Sequence, residues 1–245
     1  MPDDLIAWAA GLYDGEGSAS MDLPRLRNTP RRQMQVSQGG IPGILPAVLV
    51  RFREIVGDGN ITGPYGGDLY YWKTTRKDAI DEIARTLWPY LSHDKRAQFT
   101  AMTAKARRAF IVDERAARGV ATERPWAAGL FDGEGSVWIA KNAHYPAWRG
   151  LAMELPQSTD LGVIPEALQR FGAIVGVGSI SGPRMQRNSW SRKPQYRWQT
   201  SGRHSVSTVV RALWPWLGTV NRTRLYTVRA LLDDDVVALM ESASV

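Results

Sequence analysis

The chain has 245 residues, 44% of them apolar and 22% charged, room for two compact domains of about 120 residues that each bury a core. It contains no cysteine, which excludes disulfides, zinc–thiolate sites and thiol nucleophiles. A formal charge of +7 and a pI near 9.9 point to a polyanionic partner, and no apolar run approaches the ~18 residues that span a bilayer. His93, His144 and His204 show no metal-ligand spacing. The opening Met1-Pro-Asp-Asp4 reads as neither a signal nor a transit peptide, so an intracellular location is expected.

In chain order, Trp8-Ala-Ala-Gly-Leu-Tyr-Asp-Gly-Glu-Gly-Ser18 reads as a short helix. It returns as Trp126-Ala-Ala-Gly-Leu-Phe-Asp-Gly-Glu-Gly-Ser136 with one difference, Tyr13 against Phe131. The chain is therefore read as a duplication, and the halves stay in step outward from this match. Ser18 to Val36 alternates like a hairpin, and Gln35-Val-Ser-Gln38 answers to Glu154-Leu-Pro-Gln157. Ile44, Leu45, Val48, Leu49, Phe52 and Ile55 predict a helix, matched by Val163, Ile164, Leu168, Phe171 and Ile174. A second hairpin follows in each half, from Gly57 to Thr75 and from Gly176 to Ser201. The next helix runs to Leu87-Trp-Pro-Tyr-Leu91 and to Leu213-Trp-Pro-Trp-Leu217, where proline stops it. A last helix closes each half, around Arg96 to Val112 and Arg222 to Leu232. The expected organisation is a repeat over 1–112, a linker from Asp113 to Pro125 and a second repeat over 126–245, each repeat αββαββα. Helices on one face of an antiparallel sheet make an α+β fold.

The open sheet faces carry a distinctive composition. The first half offers Arg25, Arg27, Arg31, Arg32, Gln33 and Gln35, with Lys73 in its second hairpin. The other half offers Lys141, Asn142 and Arg149, then Arg184, Gln186, Arg187, Arg192, Lys193, Gln195, Arg197 and Gln199, with no acid from Gly182 to Gly202. Such side chains pair with base edges, and β-ribbons fit the major groove.

The repeated stretch carries the chemistry. Ala7, Ala10, Gly11 and Asp14 share a helix face, small enough for two backbones to approach. Asp14 and Glu16, and again Asp132 and Glu134, sit at helix C-termini, where partial negative charge disfavours acids. If the two helices pack through their small faces, these four carboxylates converge, and a divalent metal ion would neutralise them.

Ala10-Gly-Leu-Tyr-Asp-Gly-Glu-Gly17 and Ala128-Gly-Leu-Phe-Asp-Gly-Glu-Gly135 resemble the LAGLIDADG motif of homing endonucleases, and two copies resemble the single-chain branch of that family. The resemblance implies two sheets forming a saddle over double-stranded DNA with the motif helices packed at its centre. It implies that Glu16 and Glu134 are catalytic and bind metal, with the carbonyls of Gly15 and Gly133 as further ligands. It implies that Gln38 and Gln157 order water and that Lys95 sits beside the scissile phosphate, although the second half has Asn221 at that place. Mg²⁺ is the implied cofactor; Mn²⁺ or Ca²⁺ would occupy the same site, Ca²⁺ without supporting cleavage. The implied protein is an intron-homing, monomeric endonuclease. It would work in the cytoplasm or nucleoid of a bacterial or phage system, or in an organelle, and cut a long non-palindromic target. The alternatives on the same scaffold are an RNA-splicing maturase and a non-cleaving regulator.

Overall fold

The structure is a computed structural model that describes residues 1–22, 31–105, 120–141, 149–185 and 193–242. The chain divides into two compact units, Met1–Gly133 and Glu134–Val245.

The first unit contains α1 (Asp3–Glu16), β1 (Gly17–Asp22), β2 (Arg31–Gly39), α2 (Ala47–Val56), β3 (Asn60–Tyr65), β4 (Leu69–Thr74), α3 (Lys77–Leu87), α4 (His93–Lys105) and most of α5 (Glu123–Glu134). Its sheet is antiparallel, in the order β1-β2-β4-β3. Side chains alternate across it. Met34, Val36, Tyr70 and Trp72 point into the core, and Gln35, Ser37, Tyr71 and Lys73 point to the open face. Ala7 to Asp14 are all buried. A helix apolar on every side is a central element rather than a surface one.

The second unit repeats the plan with β5 (Ser136–Lys141), β6 (Arg149–Ser158), α6 (Glu166–Val175), β7 (Ser179–Arg184), β8 (Gln195–Ser201), α7 (Arg203–Leu213), α8 (Thr219–Thr227) and α9 (Asp234–Ser242). Its strand order is β5-β6-β8-β7, again antiparallel. Both outer hairpins break register at matching places, between Thr62 and Tyr65 and between Ser181 and Arg184. The fold is α+β with two pseudo-symmetric repeats.

The same packing device recurs in each core. Trp72 meets Phe52 edge-on at 4.9 Å and donates Nε1–H to the Asp58 carbonyl. Trp198 meets Phe171 at 4.8 Å and donates to the Val177 carbonyl. Gly59 and Gly178, at φ 91° and 87°, lie under these indoles, where a Cβ would fall 2.4 Å and 2.6 Å from ring atoms.

Three expectations need correction. The helices after the first hairpins begin only at Ala47 and Glu166, behind Pro46 and Pro165. Ile44, Leu45, Val163 and Ile164 precede them and are exposed. The last helix of each half falls where it was expected, as α4 and α8, so each repeat has one helix more than the αββαββα label counts; α8 ends at Thr227, short of Leu232, and α9 follows it with no counterpart among the described residues. α5 begins at Glu123, so residues 123–125 of the expected linker are helical. Among the described residues, no helix is long and apolar enough to cross a membrane.

Candidate functional site

The site starts from how closely α1 and α5 approach. A Cβ on Gly11 would stand 1.9 Å from the Trp126 carbonyl oxygen, and a Cβ on Gly129 would stand 1.9 Å from that of Trp8. Only glycine lets the two backbones touch there. The two tryptophans then cross over. Trp8 Nε1 donates to Asp132 Oδ2 at 2.9 Å, and Trp126 Nε1 donates to Asp14 Oδ2 at 2.8 Å.

Asp14 is 3% exposed and also accepts from the Ser92 backbone N–H at 3.0 Å and the Ser92 hydroxyl at 2.7 Å. Burial pushes its pKa up, while these donors and the Lys95 charge pull it back. This corrects the expectation of four converging carboxylates: Asp14 and Asp132 are engaged in joining the helices.

The glutamates end the two helices. Glu16 Oε2 accepts from Ser37 Oγ on β2 at 3.2 Å. Glu134 Oε1 accepts from Gln157 Nε2 on β6 at 3.1 Å. The halves use different donors, because Pro156 stands where the first half has Ser37. Gln38, the counterpart of Gln157, points toward the core with Val36, and its Oε1 is buried without a hydrogen-bond partner among the described residues. Lys95, in the first turn of α4, donates from Nζ to the Gly17 carbonyl, and its ammonium lies 5.9 Å from the Tyr13 ring centroid. Asn221 takes the corresponding place in α8 and is buried.

Among the described residues, no group of three or more His, Asp or Glu side chains could hold a metal ion. Each motif helix does offer one glutamate beside last-turn carbonyls such as those of Gly15 and Gly133, which by position lack an intrahelical partner. These are oxygen donors, and Mg²⁺ is usually held by one or two carboxylates together with substrate phosphates and water. The donor set fits such an ion.

The sheet residues divide. Arg32 is a correction. It lies on the core side with Met34 and Val36, 5% exposed, and forms a buried ion pair with Asp81 of α3, so it cannot reach a ligand on the open face. Gln33 is 7% exposed and donates to Gln35 Oε1. Arg31 is exposed, and Gln35 lies opposite Lys73 on the open face. Arg184, Lys193 and Gln199 are exposed, with Lys193 3.1 Å from Asp160. Arg197 donates to Gln195 Oε1 at 3.0 Å and to Glu154 Oε2 at 3.4 Å, so this face carries an acid on the neighbouring strand. Arg25, Arg27, Asn142, Gln186, Arg187 and Arg192 lie outside the described residues, as do the side chains of Lys141 and Arg149.

Sequence reasoning missed Ser37 as the donor to Glu16. A hydroxyl on the strand that returns to the motif, beside Gly17, was its signal. It also missed Trp138, an exposed aromatic on the open face of the second sheet.

No family model matches the chain, and no curated protein matches it in sequence. In structure it is similar to the LAGLIDADG meganuclease I-AabMI bound to uncleaved DNA, with a TM-score of 0.60 at 15% identity over 97% of this chain and 96% of that one. It is also similar to the I-LtrWI LAGLIDADG homing endonuclease bound to target DNA, with a TM-score of 0.58 at 11% identity over 98% and 97%. The LAGLIDADG homing endonuclease I-GzeII in complex with its DNA target gives 0.55 at 12% over 97% and 96%. The chain has the fold of these proteins.

Proposed function

From that fold, we propose that the chain is a site-specific, divalent-metal-dependent homing endonuclease that hydrolyses one phosphodiester in each strand of a long, non-palindromic DNA target. The observation that carries the reading is the division of labour among the motif acids. Asp14 and Asp132 tie α1 to α5 through tryptophan, while Glu16 and Glu134 stay at the helix ends, each steadied by a donor from its sheet. An acid at a helix C-terminus is unfavourable by itself and is favoured by a cation. The similar solved structures are DNA complexes, which supports duplex DNA as the partner.

Glu16 and Glu134 would hold the ions, Mg²⁺ in the first instance, with the Gly15 and Gly133 carbonyls as neighbouring oxygen donors. When bound, the metal supplies the Lewis acidity that activates water and offsets charge on the leaving oxygen. Ser37 and Gln157 fix the carboxylate rotamers. Lys95 adds a cation beside the end of α1 and, moved onto the phosphate, would stabilise charge building there. The exposed basic and amide side chains of the sheets, Arg31, Arg184, Lys193 and Gln199 among them, would contact phosphates and base edges.

The test is cleavage of a randomised duplex library with Mg²⁺, followed by the same assay on Glu16→Gln and Glu134→Gln. Each variant is expected to lose double-strand cutting by about 10³-fold or more while retaining duplex binding. Full cutting by either one overturns the reading.

A further inference from the structure

The open face of the second sheet has one position that phosphate and amide chemistry leave unexplained. Trp138 lies on β5 opposite Ala152 of β6, which lies opposite Ser201 of β8. Its side chain faces away from the core, and it is 42% exposed, an unusual place for an indole on a basic, polar face. With Ala152, Gln199, Ser201 and Ser179 it lines a concave notch whose floor is made of small residues.

The described residues of the other half differ at each of these positions. Through the repeat, Trp138 corresponds to Ser20, Ala152 to Gln33 and Gln199 to Lys73. Where the first sheet has a hydroxyl, a largely covered amide held by Gln35 and a lysine, the second has a flat aromatic wall above a methyl-sized floor. Residues such as Gln33 and Lys73 suit the hydrogen-bonding edges of bases. An indole beside an alanine suits the one apolar group that a base displays in the major groove, the C5-methyl of thymine, which 5-methylcytosine shares.

We propose that Trp138 and Ala152 form a specificity pocket for a pyrimidine C5-methyl group in the half of the target read by the second unit. Gln199 flanks the pocket and reaches the edge of the adjacent base pair. The inference rests on the endonuclease reading above and assigns a base preference to one point of that interface. Net charge complementarity brings the duplex to the face, and the notch adds selectivity without adding charge.

The probe is a duplex recovered from the randomised library, with each thymine replaced in turn by deoxyuridine, which removes the methyl and nothing else. Wild-type protein is expected to bind roughly fourfold more weakly at one or two adjacent positions, the loss that one buried methyl group gives. Trp138→Ser should erase that penalty and leave the salt dependence of binding unchanged, because no phosphate contact is lost. Trp138→Phe should keep most of it. Trp138 is exposed, and an unchanged melting transition confirms that each variant is folded. A wild-type profile flat at every thymine, or a penalty that survives in Trp138→Ser, overturns the inference and leaves the endonuclease reading standing. A chain that selects no duplex overturns that reading and the inference with it.

Discussion

Glu16 and Glu134 end two copies of one motif, yet the chain supports them differently. Glu16 is held by a hydroxyl, from Ser37 on the open face of its sheet, with the Lys95 ammonium beside Gly17. Glu134 is held by an amide, from Gln157 on the core side of its sheet, and its half has Pro156 and Asn221 where the first has Ser37 and Lys95. The helix-to-helix contact, in contrast, is nearly symmetric: two glycines, two tryptophans and two aspartates in the same roles. The parts that must match each other are alike, and the parts proposed to face a ligand differ.

The largest expected effect tests how far that symmetry extends. Asp14→Ala leaves Trp126 and Ser92 without their acceptor and should cost about 3 kcal/mol of unfolding free energy, as for other broken buried charge networks. Asp132→Ala should cost less, about 1–2 kcal/mol, because Gly218 stands where the first half has Ser92 and brings no hydroxyl. Denaturant midpoints measure both. Asp14 also makes stability depend on pH. Its folded pKa is raised, chiefly by burial, so the folded state holds the proton more tightly than the unfolded chain. Its contribution is full below the ordinary carboxylate value and is lost as pH rises through the folded pKa. Asp14→Asn should flatten that slope.

Lys95→Asn should come next. On the proposed reading it slows one strand by about 10²-fold, the scale of one transition-state contact, and removes the difference between halves. A time course on a duplex labelled separately on each strand reads the result, and equal strand rates in both wild type and variant would show that Lys95 has no such role. The reverse change is a poor test, since Asn221 is only 2% exposed and a lysine there would be buried.

The smallest effect belongs to the donors. Ser37→Ala should slow only the strand that depends on Glu16, by about tenfold, the worth of a hydrogen bond to a charged group. Ser37→Thr should restore it, while Pro156→Ser leaves both rates unchanged. The same strand-resolved assay reads all three.

Much of this was legible because the chain repeats itself. Each hairpin and helix could be checked against its twin, and the glutamates stood out as acids placed twice where helix ends disfavour them. What escaped the sequence reading involved long-range partners or a misjudged face. Asp14 finds Trp126 across 112 positions, and no local pattern announces that bond. Arg32 looked like Arg31, although the alternation through Met34 and Val36 already placed it on the core side. Ile44 and Leu45 fitted a helical period, but Pro46 forced the helix to begin after them.

The crossed tryptophan–aspartate bonds have a consequence for how the two copies pair. Each motif helix carries one donor and one acceptor, and each glycine receives the other helix's backbone. Such a surface is self-complementary, the condition for an isologous twofold contact. A chain bearing one copy would satisfy the same bonds by pairing with its twin, so joining two copies in one chain requires no new interface. Within one chain the copies are free to differ. Tyr13 against Phe131 and Ser92 against Gly218 are differences that two identical partners, bound by symmetry, could not show.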